Sequence, residues 1–167
     1  MRRPWLGLLL LGLACAAQDD GLVTSGAPLE MTASGPFPNA GGAEALDWLE
    51  GGGYLDWTAE SSIHGSTGPH FGDVRTYVND ILLQSLQGGN AQHPAGSAAV
   101  KELYGDGDGV RGWTTMIKLA DDSAGGDNWH WYERYEGDDL IDAAGAAACT
   151  GCHGSGLDYW RSPFPLQ

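Results

Sequence analysis

The chain has 167 residues, a formal net charge of −14 and only two lysines, Lys101 and Lys118. So acidic a surface argues against nucleic acid and against binding anionic lipid by charge, and a protein partner that docks electrostatically should be basic. Its 3 cysteines, Cys15, Cys149 and Cys152, do not support a disulfide scaffold.

In chain order, Arg2 and Arg3 precede an apolar run from Trp5 to Leu13. That run is too short to span a bilayer but suits a signal-peptide core. Gly12-Leu13-Ala14-Cys15 matches the lipobox pattern, with Gly12 where leucine is usual. The expectation is a lipoprotein-type signal peptide over residues 1–14 and a lipid on Cys15. An ordinary signal-peptide site near Ala14-Cys15-Ala16 is the alternative. Both readings export the protein, and the first tethers it to the membrane in the periplasm. No second long apolar stretch follows, so the mature chain is expected to be soluble or tethered rather than spanning. Residues 15–42, rich in Gly, Ala, Ser, Thr and Pro, read as a flexible tether. Residues 43–167 read as one domain without internal repeats.

Within that domain, "AEALDWLE" (43–50) predicts a short helix, stopped by the glycines at 51–53. "DVRTYV" (73–78), with β-branched and aromatic residues, predicts a strand. "NDILLQSLQ" (79–87) predicts a helix with Asn79 as N-cap and Gly88-Gly89 as its stop. Strands follow at 97–104, 112–120 and 128–135, closed in turn by "GDGDG", "DDSAGGD" and "EGDD". "DAAGAAACTGCH" predicts a short Ala-rich helical turn, and "DYWRSPFPLQ" a proline-broken tail. Successive strands separated by Gly/Asp turns favour antiparallel pairing. The fold class is therefore mainly β, an antiparallel sheet with a few short helices.

With Cys15 assigned to the export signal, Cys149 and Cys152 remain, followed directly by His153. C-x-x-C-H is the attachment signature of c-type haem. Two thiols on one local turn form thioethers with the haem vinyl groups, and the histidine supplies a nitrogen to iron. Structural zinc needs a second ligand pair, and no second cysteine pair exists. A redox C-x-x-C normally follows a strand in an α/β fold, whereas this one comes late, after a series of strands.

"FGDVRTYVND", "HPAGSAAVKELYG", "TTMIKLADDSAGGDNWHWYERY" and "CTGCH…LDYWRSPFP" stand in the order and approximate spacing of the cytochrome P-460 family. The resemblance, which extends to the related β-sheet cytochromes c′ (the cytochrome c′-beta group), covers about Trp57 to Pro165. It implies a mainly antiparallel β fold holding one haem c, with His153 below the iron and an open position above. It also implies that Lys101 bonds covalently to the porphyrin in the hydroxylamine-oxidising members, and that Arg75 lies in the distal pocket. The c′-like relatives lack the cross-link and bind NO or CO. Members are often dimers, so a homodimer is a further implication, as is a redox partner protein.

On a strand, Ala99, Lys101 and Leu103 share one face and Val100, Glu102 and Tyr104 the other. Periodicity alone favours a solvated Lys101; the resemblance implies an inward one, costly unless paired, neutralised or modified. Arg75 shares its face with Tyr77, as a surface arginine beside an aromatic would, while the resemblance makes it a partner for a bound ligand or haem propionate. Lys118, between Ile117 and Leu119, reads as a structural or exposed strand lysine. His64, His70, His93 and His130 read as surface or packing residues rather than iron ligands. Met31 and Met116 do not stand out as ligands. Trp113, Trp129, Trp131, Tyr132 and Trp160 read as core and pocket walls. "GDGDG" lacks the remaining ligands of a calcium loop and reads as a turn. Asp138, Asp139 and Asp142 offer a proton acceptor for hydroxylamine oxidation but read more simply as solvated.

Three functions follow as expectations. The first is an exported monohaem oxidase of hydroxylamine or a related small nitrogen compound, with Lys101 and Arg75 at its site. The second is an NO- or CO-binding haem protein without turnover. The third is a periplasmic electron carrier with a sixth protein ligand.

Overall fold

A computed structural model of the chain describes residues 37, 41–107 and 109–167. The signal peptide (1–14), Cys15 and most of the tether lie outside the described residues.

Seven strands form one antiparallel sheet among the described residues. These are β1 (Thr58–Ala59), β2 (His64–Gly65), β3 (Asp73–Val78), β4 (Ala98–Gly105), β5 (Gly112–Lys118), β6 (Trp129–Tyr135) and β7 (Asp138–Ala144). β3 to β7 pair in chain order, and β1 and β2 share the free edge of β3. Three short helices accompany them: α1 (Gly42–Glu50), α2 (Asp80–Gln87) and α3 (Ala147–His153). The expected mainly antiparallel fold is therefore present, and the strands at 73–78, 97–104, 112–120 and 128–135 fall within two residues of their expected limits.

α2 begins where Asn79 leaves the extended conformation. Its Oδ1 accepts from the backbone N–H of Leu82 at 2.9 Å and of Ala98 at 3.1 Å. The expected N-cap thus also ties the helix to β4, a long-range function added to the usual local one.

β7 corrects the sequence reading. The turn is only Glu136-Gly137, both at positive φ (53° and 96°), a two-residue hairpin connection. The residues after it, read as turn and helix, continue as a strand paired with β6 from Tyr135↔Asp138 to His130↔Ala144. Asp and Ala are poor strand formers, and of this strand only Ile141 is even half-buried. Pairing with β6, rather than propensity or burial, makes it a strand. The cysteine helix is correspondingly shorter than the expected helical segment.

Both faces of the sheet are covered. On one, Leu49 of α1 packs with Tyr54, Trp57, Tyr77, Val100, Ile117 and Tyr132. On the other, Leu82 and Leu86 of α2 pack with Val78, Ala99, Met116, Trp129, Trp131 and Trp160. β4 therefore needs buried residues on both sides, which explains why neither face of "AAVKELY" reads as the dry one. On the α1 face the buried Glu102 carboxylate accepts from Tyr54 at 2.6 Å, from Tyr77 at 3.0 Å and from Tyr104. Burial and these bonds raise the pKa of all three phenols. Trp113 Nε1 donates to Tyr54 Oη at 2.9 Å and completes the cluster.

Candidate functional site

The opposite face of the sheet carries the C-x-x-C-H segment. On α3, Cys149, Cys152 and His153 stand at i, i+3 and i+4, which brings all three to one side of the helix. The helix lacks a side-chain cap; Thr150 Oγ1 bonds back to the Ala146 carbonyl at 3.2 Å. Both thiols are free and half-buried. Burial pushes the Cys149 thiol up to about 11, so it is protonated at neutral pH. Cys152 Sγ accepts from Arg161.

His153 has a defined tautomer. Its Nδ1 lies 2.8 Å from the Tyr159 carbonyl. A carbonyl only accepts, so Nδ1 carries the proton and Nε2 keeps its lone pair. Burial, opposed by that hydrogen bond, lowers the His153 pKa to about 4, so the ring is neutral at physiological pH. Trp131 packs against it with ring centroids 4.6 Å apart.

α3 and the sheet enclose a cavity of about 680 Å³, lined among others by Cys149, Cys152, His153, Lys101, Trp131 and Glu133. That volume falls in the range of about 300–1,000 Å³ usual for cofactor sites. Lys101 comes from β4, where it pairs with Thr76 and Thr114, two further residues of the wall. Burial lowers its pKa, partly offset by the Glu60 carboxylate. No described residue hydrogen-bonds or ion-pairs with Lys101 Nζ.

Arg75 takes the other direction. Strand alternation sends it, with Tyr77, to the α1 face, and it is not among the cavity-lining residues. Its Nε donates to the Glu60 carbonyl at 2.9 Å, and its guanidinium sits 5.2 Å from the centre of the Tyr77 ring. The resemblance implies a distal-pocket position for Arg75, whereas here its side chain contacts Glu60 and Tyr77 and not the cavity.

Two carboxylates that the sequence reading missed reach the cavity. Buried Glu60 accepts from the Thr76 N–H at 2.6 Å and faces His64 Nε2 at 3.1 Å. Glu133 faces His70 Nδ1 at 3.6 Å. Glu133 was visible only as an inward position of β6, two residues after Trp131. Asp138, Asp139 and Asp142 do not line the cavity. Asp139 binds Arg134 and Tyr132, and Asp142 binds His130 and the Gly42 N–H.

The four remaining histidines separate. His93 is fully buried, with Nδ1 2.8 Å from Ser85 Oγ, and His130 is buried beside Asp142. Neither lines the cavity, whereas His64 and His70 do, and the His70 ring centroid is 6.3 Å from that of His153. Met116, Trp131 and Trp160 line the cavity, while Trp113 and Tyr132 belong to the α1 face. Lys118 is fully buried and paired with Asp158, resolving the choice between structural and exposed in favour of structural.

No protein-family model matches the chain, and no curated protein matches it.

Proposed function

We propose that the chain is an exported c-type monohaem protein of the cytochrome P-460 kind, oxidising hydroxylamine or a related small nitrogen compound. The observation that carries this reading is the neutral His153 ring, its Nε2 without a partner among the described residues, beside two free thiols on a cavity that Lys101 also lines. The donor set fits haem c: Cys149 and Cys152 would hold the vinyl carbons as thioethers, and His153 Nε2 would hold iron. When bound, the haem supplies an open coordination position and accepts electrons one at a time.

The residues of this chain do the rest. The Tyr159 carbonyl fixes the His153 tautomer and strengthens Nε2 as a donor. Trp131 orients the ring from one side. Oxidising hydroxylamine to nitric oxide releases three protons and three electrons. The carboxylates of Glu133 and Glu60, which line the cavity, would accept protons in this reaction. The electrons pass to an outside acceptor, for which the acidic surface favours a basic redox protein. Lys101 Nζ, held inward with a lowered pKa, is more readily neutral and nucleophilic than a solvated lysine. Joining it to a porphyrin carbon expels two protons and two electrons, so an added oxidant of the peroxide class is required. Covalent haem attachment outside the cytoplasm accords with the apolar leader, and lipidation of Cys15 belongs to the same proposal.

Digestion and mass spectrometry of the purified protein test the reading. Haem should remain on the Cys149–Cys152 peptide, and that peptide should be joined to the one containing Lys101. Haem that washes out with acid acetone ends the haem reading. Haem held only by the cysteines ends the cross-linked enzyme and leaves the NO- or CO-binding protein.

One observation favours a second reading, the electron carrier. His70 stands 6.3 Å from His153 on the same cavity. A six-coordinate, low-spin spectrum without added ligand, lost in His70→Ala, would establish it.

A further inference from the structure

Residues 157–160 form a tight turn: Leu157 and Trp160 exchange both backbone hydrogen bonds, each 2.9 Å. Asp158 and Tyr159 lie between them at φ 47° and 71°. The left-handed region is tolerable for Asp but uncommon for a bulky residue such as Tyr. Such positions persist only where the surroundings over-determine them.

Here they do. The Asp158 side chain is shielded from solvent, and its carboxylate accepts from Lys118 Nζ, from Ser123 Oγ and from the His93 N–H, the last at 2.7 Å. The Lys118 and Asp158 side chains are 0% and 3% exposed, so this is an ion pair without competing water. Tyr159 is gripped as well. A Cβ on Gly126 would lie 3.0 Å from the Tyr159 hydroxyl and 2.8 Å from Thr150 Cγ2. Only a glycine lets the Ala124–Gly126 turn come so close to the tyrosine and to α3. The held turn presents the Tyr159 carbonyl to His153 Nδ1.

We propose that the Lys118–Asp158 ion pair is a positioning device for His153, acting through the Asp158–Tyr159 turn and the Tyr159 carbonyl on the orientation and donor strength of Nε2. The inference rests on the haem reading above. It accounts for residues far apart in sequence: Lys118 holds Asp158, Gly126 admits Tyr159, and Trp131 packs on His153. Neither Lys118 nor Asp158 touches the cavity ligands, so both are positioning residues.

The test uses the haem-loaded protein in its ferrous state and compares wild type, Asp158→Asn and Ser123→Ala. Asparagine tolerates the left-handed region, so Asp158→Asn keeps the turn's backbone preference while removing the charge. A weaker Nδ1–H···O bond makes Nε2 a poorer donor. The iron–imidazole stretching band in the resonance Raman spectrum should therefore fall, and the midpoint potential should rise. Ser123→Ala, which removes one hydrogen bond, should shift both in the same sense by less, and it carries the test if Asp158→Asn does not fold. A band and potential unchanged in either folded variant overturn the inference alone. A wild-type protein that holds no covalent haem overturns the haem reading, and this inference with it.

Discussion

Alkaline pH should unfold this domain through its tyrosines. Tyr54, Tyr77 and Tyr104 surround Glu102, and Tyr132 donates to Asp139 at 2.8 Å. All four are buried. Burial, then the adjacent carboxylate, raises each phenol's pKa, that of Tyr132 to about 12. In the unfolded chain each titrates near ~10. Below that pH both states keep the proton and the tyrosines' contribution is complete. Above it the unfolded chain sheds protons that the folded chain retains, so stability falls as pH rises. Each tyrosine that keeps its proton in the folded state removes about 1.4 kcal/mol per pH unit, and four acting together remove about 6 kcal/mol per unit just above pH 10. A stability in the lower half of the usual range of about 5–15 kcal/mol is then exhausted roughly 1–2 units above pH 10, before Tyr132 itself ionises in the folded state at about 12. The assay follows tyrosinate absorbance and far-ultraviolet circular dichroism against pH in the same sample. Tyrosinate from these four should appear together with loss of the sheet signal, in one cooperative step. If they ionise near pH ~10 while the sheet signal is intact, the buried phenol–carboxylate cluster is refuted.

Lys118→Met should destabilise the fold by about 3–5 kcal/mol in urea titrations, because it strands a buried Asp158 carboxylate. Adding Asp158→Asn should recover most of that loss, and failure to do so would argue against the pair. Gly126→Ala should lower stability by about 1–3 kcal/mol, measured by thermal melting, since its φ is 111° and the new methyl group meets Tyr159 and Thr150. Arg75→Ala should cost about 1–2 kcal/mol through its lost bond to Glu60, yet leave NO affinity within about twofold. A large loss of affinity in titrations with NO would return Arg75 to the ligand site.

What the sequence made legible was local. The cysteines and His153 are contiguous, so one turn of helix suffices to bring them together, and the motif can be read without the fold. The strands at 73–78 and 112–118 carry β-branched and aromatic residues on at least one face. β7 hid because its aspartates and alanines are poor strand formers, and β1 and β2, at two residues each, are too short for any period to show. The role of Glu102 depends on phenols at 54, 77 and 104, and that of Lys118 on a carboxylate 40 residues later. Neither lysine could be oriented from its own neighbours, because a strand covered on both sides loses the polar alternation that would mark an outside. Lys101 was turned inward only by resemblance, and the geometry of β4 and the cavity supplies the independent reason.

The sheet's outer border also bears on how the molecule behaves in a crowd. Among the described residues β7 pairs with β6 on one side only, and a strand so placed invites the next chain to add itself. Its outward residues include Asp138, Asp139 and Asp142, with Leu140 the one large apolar side chain among them, 48% exposed. Closely spaced carboxylates on such a border repel an identical strand brought alongside. The composition that hid β7 from the sequence reading therefore acts as a guard against fibrous self-association. The formal net charge of −14 acts in the same sense over a longer range and keeps whole molecules apart. Local and long-range repulsion are both screened by salt, which makes low ionic strength the condition under which this protein is best concentrated.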